Sequence, residues 1–136
     1  MFVSILRQGD FLIASIHAAL DDTELIRFQD DLVRQIGERR AQGIIIDVAA
    51  LDVLDSFASK ALRDLSQMAK LRGAVTVVVG IQPDVAFAIV QLGMKVDLHT
   101  ALDLEEGLSY LENVTSGHRA GTSTLGALRD STTVSR

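Results

Sequence analysis

The residues best placed to do chemistry lie in one stretch, Leu51-Asp52-Val53-Leu54-Asp55-Ser56-Phe57-Ala58-Ser59-Lys60. A serine stands there at the junction of an acidic loop and a helix. Two readings fit it. In the first, Asp55 or Ser56 simply caps the helix, a role either side chain can fill. In the second, Ser56 is a phosphoacceptor. An exposed hydroxyl at a helix N-terminus suits that role, because free N–H groups and the positive end of the dipole accommodate the added phosphate. The modification would add about −1.5 to −2 charges to a loop that already carries Asp52 and Asp55. A partner docked against the loop would meet repulsion and a desolvation cost, with little change in the fold. Ser59 and Lys60 lie one turn further on. Ser59 is a second hydroxyl, expected on the polar face of the helix.

The other reactive groups form no catalytic set. The histidines are His17, His99 and His118. None has HxxxH spacing, and the chain has no cysteine, so no metal site is expected. Carboxylates at Asp21, Asp22 and Asp47 could in principle hold a divalent ion, but acidic pairs at a helix start more often serve as caps. A Ser56 hydrolase would need His17 or His99 to reach the serine. There is no G-x-S-x-G elbow. Neither G-x-G-x-x-G nor G-x-x-x-x-G-K-[ST] occurs, so no phosphate cradle and no cofactor are expected. A phosphorylatable receiver domain would need a Lys after its last strand, and none follows Leu98.

The elements that must position Ser56 read clearly. Residues 2–6 and 11–16 are apolar runs separated by Gln8, Gly9 and Asp10, which predicts a hairpin. Asp21 with Glu24 is a variant capping box. Leu25, Phe28, Leu32 and Ile36 then follow at helical spacing. Arg39 and Arg40 fall in the last turn, with Gly43 just beyond. Ile44, Ile45 and Ile46 read as a strand buried on both faces. After the loop at 49–55, Ala58, Ala61, Leu62, Leu65, Met68 and Ala69 make an apolar helical stripe, and Gly73 ends it. Residues 75–79 are another buried strand. Pro83 and Asp84 open a short helix that Gly93 closes. Residues 95–98 read as a weaker strand. Thr100 with Asp103 reads as a capping box for a last helix carrying Leu104, Leu108 and Leu111. The order β-β-α-β-α-β-α-β-α predicts an α/β domain: a mainly parallel open sheet with an N-terminal β-hairpin and about four helices.

Composition narrows the class. The 136 residues, 48% hydrophobic, suffice for one domain with a real core. A net charge of −5 and 4% aromatics argue against phosphate-backbone or base-stacking recognition of nucleic acid. The longest apolar runs, GIIIDV and AVTVVVG, fall far short of the ~20 residues that span a bilayer. The N-terminus lacks the pattern of a signal peptide, so a cytoplasmic protein is expected. Residues 116–136 differ from the rest: 8 of these 21 are Ser or Thr and 3 are Gly. Residues 1–115 hold 17 acidic and 10 basic side chains, against 1 and 3 in this last segment. The expectation is a domain at 1–115 followed by a tail at 116–136, flexible or docked on a partner.

Ile46-Asp47, the LDVLDSF segment and the amphipathic helix after it resemble the domain shared by sulfate transporters and anti-sigma factor antagonists, the STAS domain. The likeness is strongest to the small single-domain members that build bacterial stressosomes. It is carried by FQDDL at 28–32, GIIIDV at 43–48, DSFASKAL at 55–62, GIQPDVA at 80–86, QLG at 91–93 and ALDLEEGL at 101–108. It spans residues 1 to about 115 and does not extend to the tail. The resemblance implies a non-enzymatic scaffold in which Ser56 is phosphorylated by a switch serine kinase of the RsbT type, releasing the kinase. Asp55 and Phe57 flank Ser56 as in the family. Asp52, Asp55, Phe57, Ser59 and Lys60 would then form the kinase-facing loop. Implied partners are RsbR-like STAS proteins in a large oligomer and a resetting phosphatase of the RsbX type. One alternative is a simple anti-sigma factor antagonist that binds an anti-sigma kinase and uses the same serine. Another is an enzyme or ligand-binding module around His17, Asp22 and Asp47, which requires a concave polar pocket at the carboxyl ends of the strands.

Overall fold

The computed structural model describes residues 2–91 and 98–123, with side chains of the last helix described as far as Ser116. Its elements are β1 (Val3–Gln8), β2 (Phe11–Ile16), α1 (Asp22–Arg39), β3 (Gly43–Asp47), α2 (Ser56–Leu71), β4 (Val75–Val79), α3 (Pro83–Gln91), β5 (His99–Ala101) and α4 (Leu104–Ser123). The five strands lie in chain order, β1-β2-β3-β4-β5. β1 pairs antiparallel with β2, and every later pair is parallel. This is the α/β architecture the sequence predicts: a mixed sheet with an N-terminal hairpin and four helices.

Each parallel step needs a crossover, and strands laid down in one direction with one hand of crossover collect their helices on one face. Alternation along the strands shows this. Leu12, Ala14 and Ile16 of β2, Ile44 and Ile46 of β3 and Val78 of β4 share a core with Phe28, Leu32, Leu62, Leu65, Val85 and Ile89. These last six come from α1, α2 and α3. The intervening strand residues Phe11, Ile13, Ile45, Val77 and Val79 form a second, smaller core with Leu111 of α4. The β-branched run at 44–46 is thus buried on both faces, as its composition implies. Each fully buried Leu or Ile in these layers contributes about 1.5–3 kcal/mol. No helix among the described residues is long and apolar enough to cross a membrane.

Three local expectations need correction. The last strand is His99–Ala101, in register with Val77–Val79. Of the expected strand at 95–98, Leu98 is a bend packed against the larger core, and 95–97 lie outside the described residues. β5 is an edge strand whose residues are exposed or half-buried, so it carries no apolar run to read. Thr100 belongs to β5 and caps nothing. The cap of α4 is Asp103, whose Oδ1 accepts from the Glu106 N–H at 2.9 Å, while the Leu102 N–H donates to Glu106 Oε1 at 3.0 Å. α1 ends at Arg40, a left-handed C-cap with φ 52°. Gly43 instead starts β3, where a Cβ would stand 2.9 Å from Leu111 Cδ2. α4 itself continues to Ser123, into the segment that composition sets apart. Gly93, and the part of that segment from 124 onward, lie outside the described residues.

Candidate functional site

β3 delivers the chain to the carboxyl edge of the sheet at Asp47. The connection to α2 must then cross the top of the core. Leu51 and Leu54 are buried beneath it, while Asp52, Val53, Asp55, Ser56 and Phe57 are exposed. Two leucines three residues apart thus peg the loop, and the residues between and after them face solvent. Backbone bonds fix its start: the Val48 N–H donates to Val79 O and the Leu51 N–H to Val48 O, both at 3.0 Å. Asp47 Oδ1 accepts from the Ala49 N–H at 2.9 Å, and Gln82 Nε2 donates to Ala49 O at 2.7 Å. Gly80, at φ +80°, lets the two exits approach, since a Cβ there would lie 2.9 Å from Ala49 Cβ.

Asp55 caps α2. Its Oδ1 accepts from the Ala58 N–H at 2.8 Å, and its carbonyl accepts from the Ser59 N–H at 2.9 Å. Of the two capping candidates the sequence offers, Asp55 does the capping and Ser56 does not. Ser56 is the first helical residue, with its side chain in solvent. First-turn N–H groups have no intrahelical acceptor. The other helices carry first-turn carboxylates: Asp22 and Glu24 in α1, Asp84 in α3, Glu105 and Glu106 in α4. The first turn of α2 has none. The positive end of its dipole is therefore countered only by the cap, and Ser56 stands beside it.

The remaining loop residues divide. Phe57 and Val53 present apolar surface, 39% and 68% exposed. Lys60 Nζ bonds to Asp64 Oδ2 at 2.8 Å. Ser59 departs from its expected place on the polar face. Its Oγ is buried without a hydrogen-bond partner, beside a void of about 10 Å³ bounded by Leu54, Leu62, Val78, Ile81 and Ile89.

The other reactive groups are held elsewhere. His17 Nε2 lies 2.9 Å from Ser4 Oγ, Asp21 caps α1, and Asp47 serves the Ala49 N–H. Between the end of β2, α1 and the Ser56 loop lies a void of about 80 Å³, mostly aliphatic with Asp55 in its lining, and His17, Asp22 and Asp47 do not line it. Ile16, Leu20, Leu25, Leu51 and Leu62 wall it. His99 stacks on Tyr110 of α4, with ring centroids 3.6 Å apart and planes at 11°, across the sheet from α2. The described residues include no group of three or more His, Cys, Asp or Glu side chains that could hold a metal ion. The His118 side chain lies outside the described residues.

Sequence reasoning missed three contributors. The Lys60–Asp64 pair was legible as an i, i+4 spacing. The acid-free first turn of α2 was legible once its cap was placed. Gln82 was not, because its acceptor is 33 residues away in sequence.

The family model described as the STAS domain matches residues 3–107. RsbS of Moorella thermoacetica, solved with a serine replaced by glutamate, is 34% identical with a TM-score of 0.73, over 84% of this chain and 97% of that one. A chain from the structure titled "Molecular architecture of the stressosome, a signal integration and transduction hub" is 32% identical with a TM-score of 0.67, over 82% of this chain and 98% of that one. The RsbT co-antagonist protein RsbRA of Bacillus subtilis is 28% identical over 75 residues, 55% of this chain. The chain spans only 27% of the length of RsbRA.

Proposed function

Because the chain belongs to the STAS domain family, we propose that it is a non-enzymatic, phospho-switched scaffold of a bacterial stressosome, acting in the cytoplasm. It holds a switch serine kinase of the RsbT type against the loop of Asp52, Asp55, Phe57 and Lys60. The kinase transfers the γ-phosphoryl group of ATP to Ser56 Oγ. The hydroxyl proton is released, ADP departs, and the kinase leaves to start the response. An RsbX-like phosphatase hydrolyses the ester and resets the scaffold. RsbR-like proteins, whose STAS domains share the fold, are its partners in the assembly.

The observation that carries this reading is the exposed Ser56 hydroxyl, at the start of the one helix among the described residues whose first turn has no carboxylate. A phosphate there is stabilised by the helix end, so the domain keeps its fold. The same charge sits beside Asp52 and Asp55, so a partner docked on the loop is repelled. The switch therefore acts on the interface rather than on folding.

Co-expression with an RsbR-like partner, followed by size-exclusion chromatography and small-angle scattering, tests the scaffold role. A very large mixed particle is expected. A small complex that never exceeds a few chains would favour a simple anti-sigma factor antagonist instead.

A further inference from the structure

Ser56, Lys60 and Asp64 stand four residues apart on α2 and share one stripe of its surface. In the unmodified protein the middle residue faces away from the serine: Lys60 Nζ bonds to Asp64 Oδ2 at 2.8 Å, with side chains 64% and 37% exposed. This pair is easily exchanged for two reasons. Exposed ion pairs are weak, since water and salt screen them. Its order is also the poorer one, with the cation N-terminal to the anion.

A phosphate on Ser56 would reverse both disadvantages. The anion would lie four residues before Lys60, the favoured order, and would carry about two charges. It would also sit at the positive end of the helix. The charged residues flanking it are Asp52 and Asp55 in the loop and Lys60, Arg63 and Asp64 on the helix. Lys60 is one turn away, and Arg63 is two.

Resting on the reading of Ser56 as phosphoacceptor, we propose that Lys60 is a positioning residue that exchanges Asp64 for the phosphoserine. The ammonium swings one turn toward the N-terminus and holds the phosphate against the helix start. Asp64 loses its cation in the same movement. One modification is then displayed at two places roughly 12 Å apart along the helix: as a phosphate at the loop and as an uncovered carboxylate two turns below. A partner lying along this stripe meets new negative charge at both.

The test uses the full chain with phosphoserine inserted at position 56 during translation, so that no kinase is involved. Phosphorus NMR follows the second ionisation of the phosphate in the parent, Lys60→Met, Lys60→Arg and Asp64→Asn. A nearby ammonium favours the dianion and lowers the midpoint. Lys60→Met should therefore raise it by roughly 0.15–0.4 pH units, the size of one exposed helical ion pair, because the second ionisation changes the phosphate by one charge. Lys60→Arg should keep the parent value, and Asp64→Asn should lower it. An unmoved midpoint in Lys60→Met, or a rise in Asp64→Asn, overturns the exchange. Either result leaves open which kinase modifies Ser56, and failure of a kinase to label Ser56 leaves this measurement intact.

Discussion

At the start of α1, Asp21 accepts from the Glu24 N–H at 2.7 Å and Glu24 reaches back to the Asp21 N–H at 2.9 Å. At the start of α2, Asp55 accepts from the Ala58 N–H, and the residue that would reach back is an alanine. Both helices begin with an aspartate cap and pack into the same core, with a buried leucine close in sequence, Leu25 after the first cap and Leu54 before the second. The difference lies in the residues after the cap. In α1 the first turn supplies Asp22 and Glu24; in α2 it supplies Ser56, Phe57 and Ala58. The first start is electrostatically complete, and an added anion would meet two carboxylates. The second has room for one more negative charge, with a hydroxyl at the position where it would be attached. Two helix starts in one small domain thus separate a first turn filled with carboxylates from one that leaves a hydroxyl exposed.

Removing the caps gives the largest expected effect. Asp21→Ala should cost roughly 1–2 kcal/mol in urea unfolding, since it breaks both arms of the reciprocal box. Asp55→Ala should cost about 1 kcal/mol, because one arm is lost. A larger loss at Asp55 than at Asp21 would remove the distinction between the two starts.

Adding a charge sharpens the same comparison at smaller scale. Ser56→Asp should stabilise the domain by about 0.3–0.5 kcal/mol at low ionic strength, and 1 M salt should erase the gain. Thr23→Asp adds the same charge to the first turn of α1, between Asp22 and Glu24, and should give no gain. Equal stabilisation by the two, read as melting temperatures at low and high salt, would show that the carboxylates of α1 do not matter.

Periodicity exposed most of the fold. Leu25, Phe28, Leu32 and Ile36 of α1 are all buried, and so are Ala61, Leu62, Leu65 and Ala69 of α2. The reciprocal cap at Asp21–Glu24 was legible because its residue types and spacing are specific. The misread cap at Thr100 has a physical cause. Thr-x-x-Asp at 100–103 overlaps Asp-x-x-Glu at 103–106, and only pairing of Thr100 with Val78 in the sheet decides between them. β5 leaves little local signal, because an edge strand needs no apolar alternation. The burial of Ser59 is invisible to local spacing, because α3 and β4 come from distant sequence and close over its hydroxyl. The loop at 49–55 was legible as acidic and exposed. Its two leucine pegs and its tether to Gln82 depend on tertiary contacts that local spacing does not encode.

The proposal that Ser56 is the phosphoacceptor of a scaffold has one direct test. The most direct measurement incubates the full chain with the cognate RsbT-like kinase and ATP, then maps phosphate by intact mass and peptide fragmentation. One phosphate, located on Ser56, is expected, and none in Ser56→Ala. Full labelling of the Ser56→Ala chain would contradict it.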